Sequence, residues 1–187
     1  MVELLIYVLL ASAITAGLSQ VLISVIRSDR NIDLQQRAID LWSRISFLID
    51  SDVAEGNQIL YDRALPPACG TGHSLFTVVV PMPAEGTVPG LGRSLQIHYF
   101  QSNANLMRCG PPFHEDGGLD VSPIADAGDN RLALVGRRVR FLLQPNQDQA
   151  RSVSYQLNIL TRDGVELFRS DRSSIARTRV GQIPIPP

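Results

Sequence analysis

Lysine is missing altogether: all 17 basic residues are arginine, set against 18 acidic ones for a formal net charge of −1. That balance excludes a global electrostatic pull toward nucleic acid or anionic lipid. There is no internal repeat and no low-complexity block. No nucleophile elbow, phosphate-cradling glycine loop or His-Glu-x-x-His helix occurs, and the three histidines, His73, His98 and His114, have no activating partner at a recognisable spacing. Catalysis is therefore not expected, and no cofactor is called for. Two further scarcities are structural. From Val2 to Ile26 the only charged side chain is Glu3, and neither glycine nor proline interrupts the chain between Gly17 and Gly56.

The uncharged run is long enough to matter. As a helix at 1.5 Å per residue, 2–26 would extend about 37 Å, sufficient to cross a hydrocarbon core with some tilt. Ser12, Thr15, Ser19 and Ser24 are compatible with that setting, because hydroxyls bond back to helix carbonyls. A cleaved secretory signal would need a basic start, and "MVE" is acidic; "ASA" at 11–13 resembles a cleavage site, but the apolar run continues a dozen residues past it. A buried core helix of this length and uniformity would be unusual. The expectation is a single spanning helix. Glu3 is then the anomaly: near the terminus it reaches interfacial water at little cost, whereas deeper burial costs on the order of 2.5–3.5 kcal/mol and invites a cationic partner.

The helix does not end at Arg27. In "SDRNIDLQQRAIDLWSRISFLIDSDVAEGN" the residues Leu34, Ala38, Leu41, Trp42, Ile45, Leu48, Ile49 and Val53 recur at spacings of three and four, while Asp33, Gln36, Arg37, Asp40, Arg44 and Asp50 fall opposite. That pattern is one apolar stripe of an amphipathic helix, which must pack against something folded. The expectation is one helix of about fifty residues, roughly 80 Å long, with Gly56 as its cap.

These residues resemble the type IV pilin and type II secretion pseudopilin superfamily. "MVELL", followed by a long apolar helix, an amphipathic half and a β-rich remainder, matches the third to seventh mature positions, which places Glu3 on the family glutamate. The stretch "RAIDLWSRISFLIDSDVAEG" is most similar to PilW-type minor pilins and J-type pseudopilins. The resemblance covers about the first 56 residues and implies that the Glu3 carboxylate neutralises the N-terminal amine of a neighbouring subunit. It implies other minor and major pilins or pseudopilins, the inner membrane and a prepilin peptidase as partners, with the head in the periplasm or at the cell exterior. The family's short basic leader, its closing glycine and the first two mature residues are not in the sequence; with Met1 as the true start, a prepilin peptidase would have no site to cut. A different class of reading is a single-pass, membrane-anchored envelope binding protein with a β-rich exported domain.

Past Gly56 the period changes to two. "SLFTVVVPMP" (74–83) reads as a strand closed by prolines, and "SLQIHYFQ" places Leu95, Ile97 and Tyr99 on one face. "SVSYQLNIL" alternates Val153, Tyr155, Leu157 and Ile159, and is followed by Asp163-Gly164 and "VELFR", a strong hairpin signal. In "RLALVGRRVRFLLQ" the apolar parity slips by one residue, which a bulge near 136–138 explains. Residues 111–130 read as a long loop and "GQIPIPP" as an extended tail. The fold class expected is α+β: a long N-terminal helix packed on an antiparallel β-sheet head, organised as 1–26 in the membrane or filament core, 27–56 amphipathic, 57–181 head and 182–187 tail.

Three constellations in the head could carry chemistry. Cys69 and Cys109 each precede a glycine in a proline-containing loop, and in an exported head they would form a disulfide. With His73 and His114 they make an alternative Cys₂His₂ zinc set, at spacings less regular than structural zinc sites use. Asp116, Asp120, Asp126 and Asp129 crowd one loop without the spacing of an EF-hand. Arg137, Arg138 and Arg140, with Arg169, Arg172, Arg177 and Arg179, would form a basic patch only if adjacent strands align them; DNA is not the expected partner.

Overall fold

A computed structural model describes residues 2–81, 94–112, 131–144 and 151–176. The aspartate-rich loop residues 116, 120, 126 and 129, His114, Arg177, Arg179 and the 182–187 tail lie outside the described residues. The architecture is α+β. Helix α1 runs Val2–Glu55, and the strands are β1 (Gln58–Tyr61), β2 (Phe76–Pro81), β3 (Ser94–Ser102), β4 (Asn105–Gly110), β5 (Arg131–Arg137), β6 (Val139–Leu143), β7 (Ser152–Leu160) and β8 (Glu166–Ile175). The chain divides into two compact units, Met1–Asp40 and Leu41–Pro187.

The first unit is helical throughout its described residues, and the side chains of Ile6, Tyr7, Leu10, Ile14, Leu18, Leu22 and Ile26 are exposed. Its polar groups are handled locally. Thr15 Oγ1 donates to the Ala11 carbonyl at 2.8 Å, Ser19 Oγ to the Thr15 carbonyl at 2.8 Å, and Arg37 pairs with Asp33 one turn away at 2.8 Å. The hydroxyl back-bonding anticipated from sequence is present, and it lets these residues sit in an apolar stretch without unpaired donors.

In the second unit two antiparallel sheets share one core. Five strands pair in sequence order, β1-β2-β3-β4-β5, and three more in the order β6-β7-β8. The chain passes from one sheet to the other at Arg138, which adopts a left-handed φ of 57° between β5 and β6. Just before it, Leu106 pairs with Gly136 and Met107 with Leu134, so Val135 is the extra residue of a bulge. The parity slip read from the sequence is thus a bulge followed by a change of sheet. Four rings cross the junction: Tyr99 stacks on Phe76 at 4.8 Å, Phe76 on Phe141 at 5.7 Å, and Phe141 on Tyr155 at 4.8 Å. Gln101 of β3 fastens β6 from the side, donating to the Val139 carbonyl at 2.9 Å.

The end of α1 closes this core. Ile45, Ile49 and Val53 are fully buried, and Leu41, Trp42 and Leu48 half-buried. Each fully buried side chain contributes about 1.5–3 kcal/mol relative to exposure. Asp50, expected on the solvent face, instead meets β8: Arg172 Nη2 donates to it at 2.6 Å, and Ser174 hydrogen-bonds its other oxygen. Two strands escape the sequence reading. β1 has only four residues, and β4 follows a two-residue turn in which Asn103, rather than a glycine, takes the left-handed conformation at φ 54°. Cys109 therefore lies on β4 and not in a loop.

Gly56 is not a left-handed cap. It follows the last helical residue in a buried position where an added Cβ would collide with Val78 Cγ1 and stand 3.3 Å from the Val53 carbonyl oxygen. Absence of a side chain lets the helix end press against β2, and Asn57 N–H then enters the sheet by donating to the Val79 carbonyl at 2.9 Å. The substitution Gly56→Ala is expected to destabilise the fold by about 1–3 kcal/mol through overpacking, read as a lower urea midpoint with an unchanged slope.

Tyr61 ties β1 to the start of β7 by donating to the Ser152 carbonyl at 2.6 Å. Burial pushes its phenol up to about 12. Below pH about 10 both folded and unfolded states keep the proton, and the contribution is whole. Between pH 10 and about 12 only the unfolded chain ionises this group, so stability should fall across that window and the fall should be smaller in Tyr61→Phe. Denaturant titrations at pH 9, 10 and 11 test it.

Candidate functional site

Each unit contains a carboxylate of interest among the described residues. In the first, Glu3 is exposed near the start of α1 and makes no ion pair among the described residues. It heads an apolar stretch whose described side chains are exposed. Among the described residues this is one helix long and apolar enough to cross a membrane. An exposed apolar surface of this extent is typical of membrane or protein contact.

In the second unit a full charge is buried. Asp52 lies three residues after Ile49 and seven after Ile45, on the stripe that faces the sheets, and is 0% exposed. Arg108 of β4, 2% exposed, grips it with both arms of the guanidinium, Nε to Oδ2 at 2.7 Å and Nη2 to Oδ1 at 3.2 Å. Tyr99, the β3 residue paired with Arg108, donates its hydroxyl to Asp52 Oδ2 at 2.5 Å. The remaining arm of Arg108 donates to the Pro111 carbonyl at 2.9 Å. Burial works against the charge on Arg108, but the Asp52 carboxylate outweighs it and the guanidinium pKa is raised. Burial, and then the Asp52 charge, push the Tyr99 phenol well above its ordinary value. The arrangement is buried where α1, β3 and β4 meet. It is a clamp that holds the end of α1 to β3 and β4.

On the opposite face of the five-stranded sheet the loop between β1 and β2 is pinned down. Cys69, at the end of a short 3₁₀ turn (Pro67–Cys69), is bonded to Cys109 with an S–S distance of 1.96 Å and Cα atoms 5.8 Å apart. Both cysteines are buried, with Phe100, Leu65 and Met107 around them. With both sulfurs in that bond, neither cysteine is a thiolate ligand in this structure. His73 turns instead to Asp62 at 3.0 Å, and among the described residues no three His, Cys, Asp or Glu side chains cluster as metal ligands. Beside the disulfide a buried relay runs from Ser74 to Thr77 at 2.9 Å and from Thr77 to His98 Nδ1 at 3.0 Å. Burial lowers the His98 pKa, favouring the neutral ring.

Arg140 and Arg169 lie in one cross-strand row through Asn158 of β7. Arg140 on β6 and Arg169 and Arg172 on β8 are separated by β7. Arg169 is neutralised by Glu166 at 3.0 Å and Arg172 by Asp50 at 2.6 Å. Arg137, Arg138 and Arg140 remain exposed near the sheet crossover. No protein-family model, curated protein or solved structure matches the chain.

The Asp52 clamp escapes the sequence reading, yet its signal is there: a carboxylate at the position seven after Ile45 on an otherwise apolar stripe. Replacing Asp52 by Ala leaves the Arg108 cation buried without its counter-charge and is expected to cost about 3–5 kcal/mol, whereas replacing Asp52 and Arg108 together by leucines should recover much of that loss. Denaturation of the full chain in detergent measures both.

Proposed function

We propose that this chain is a minor pilin or pseudopilin subunit, with a structural rather than a catalytic role in initiating, assembling or capping a type IV pilus or a type II secretion pseudopilus. The observation that carries the reading is Glu3, an unpaired carboxylate heading an exposed, membrane-length apolar helix. Such a helix rests in a bilayer and passes from lipid into a filament core without its apolar surface meeting water. The carboxylate then fixes register, because a buried acid is tolerable only where a cation answers it. A neighbouring subunit's terminal amine is the cation this reading assigns. The α+β head and its buried disulfide suit a domain exported to an oxidising compartment, which here is the periplasm or cell exterior. The partners on this reading are other pilins or pseudopilins and the inner membrane.

The substitution Glu3→Ala tests it directly. Membrane fractionation should be unchanged, and the fraction of the chain recovered in sheared filaments should fall about tenfold or more, the cost of leaving one buried amine unanswered being on the order of 1.4 kcal/mol or higher. Wild-type incorporation of the alanine variant would instead leave a membrane-anchored envelope domain whose helix serves only as a tether.

A further inference from the structure

One carboxamide, Gln20, lies within the apolar stretch 2–26, and it has no role in the mechanism above. Gln20 is exposed, and no hydrogen bond joins its amide to any described residue, whereas Thr15 and Ser19 nearby satisfy their hydroxyls on their own helix. Its depth follows from helix geometry. Glu3 and Arg27, the charged residues that bound the stretch, are about 36 Å apart along the axis, and Gln20 lies about 10 Å inside the Arg27 end. A hydrocarbon core about 30 Å thick therefore contains it. Helical side chains lean toward the N-terminus, so this one tilts away from the nearer interface and further into the core. An amide there has two donors and an acceptor with no water to meet them.

We propose that Gln20 is the contact point of a parallel homodimer of this chain in the membrane, each amide donating to the carbonyl oxygen of its counterpart. The proposal rests on the membrane-spanning part of the reading above and not on the filament. Three considerations select a second copy as the occupant. Copies inserted in one orientation hold the same residue at the same depth, so Gln20 necessarily finds Gln20 at its level. The carboxamide is self-complementary, unlike Glu3, which would repel its own counterpart. Close approach is sterically open, because Ala13, Ala16 and Gly17, which precede Gln20 by seven, four and three residues, share its face, and small residues let helices come near enough for amides to bond. A Cβ added to Gly17 would meet no described atom within 4 Å.

The test is energy transfer between donor- and acceptor-labelled full-length chains in phosphatidylcholine vesicles, followed as lipid is added. The wild-type chain should dimerise, Gln20→Leu should reach half-association only at a protein density at least about threefold higher, and Gln20→Asn, which keeps the amide, should stay close to wild type. Equal association of the leucine variant and the wild type, or no association of the wild type, overturns the dimer. Vesicle flotation of the same samples separates the two readings: wild-type chains that float without dimerising sink only this proposal, and chains that fail to float sink membrane insertion as well.

Discussion

Asp52 is a charge on the wrong side of a helix. The stripe that contains it must be buried to cover the two sheets, and burial removes the water that would solvate a carboxylate. Arg108 and Tyr99 replace that water with three hydrogen bonds, and their positions on neighbouring strands mean that the bonds form only when β3 and β4 are paired in register. The helix end, the central strands and Pro111 are thereby tied to one set of atoms. The bidentate geometry fixes the guanidinium against the carboxylate in one orientation.

Around that fixed point the layers follow from simple alternation. β7 puts Val153, Tyr155, Leu157 and Ile159 into the core, and its other face forms a polar ladder with β8, in which Gln156 donates to Asp171 at 2.9 Å and Ser154 to Ser173 at 3.1 Å. β3 departs from this rule: Ile97, His98, Tyr99 and Phe100 are all buried. One side of the strand faces α1 and the aromatic stack, and the other faces the loop held down by Cys69. A half-buried strand is therefore converted into an interior one by a covalent strap.

Most of the architecture is legible in the residues themselves. The long helix, the period-two segments and the Asp163-Gly164 hairpin are marked by periodicity and turn chemistry, and Gly164 does take a positive φ of 80°. What is not legible depends on contacts distant in sequence. β4 is hidden because its core-facing positions, Leu106 and Arg108, pair an aliphatic with a cation, which reads as a surface strand unless Asp52 is known to be opposite. Asp50 reads as solvent-facing for the converse reason: helical spacing gives an angle but not the reach of Arg172 from β8. Gly56 suggests a conformational cap, and only the proximity of Val78 reveals a steric role. In the N-terminal unit Glu3 stands out as a charge, whereas Gln20, being neutral, escapes a search for charges although hydrocarbon is scarcely kinder to an amide.

The chain has a single tryptophan, and its placement makes the protein its own reporter. Trp42 sits where α1 meets β8, edge-on to Phe168 at 6.0 Å and beneath the Arg172 guanidinium at 5.6 Å. Its indole emission is thus coupled to a nearby cation and an adjoining ring that both belong to the last described strand. Any event that lifts the helix from that strand would change the colour and yield of the light, so docking of the helical stem can be followed optically without a label.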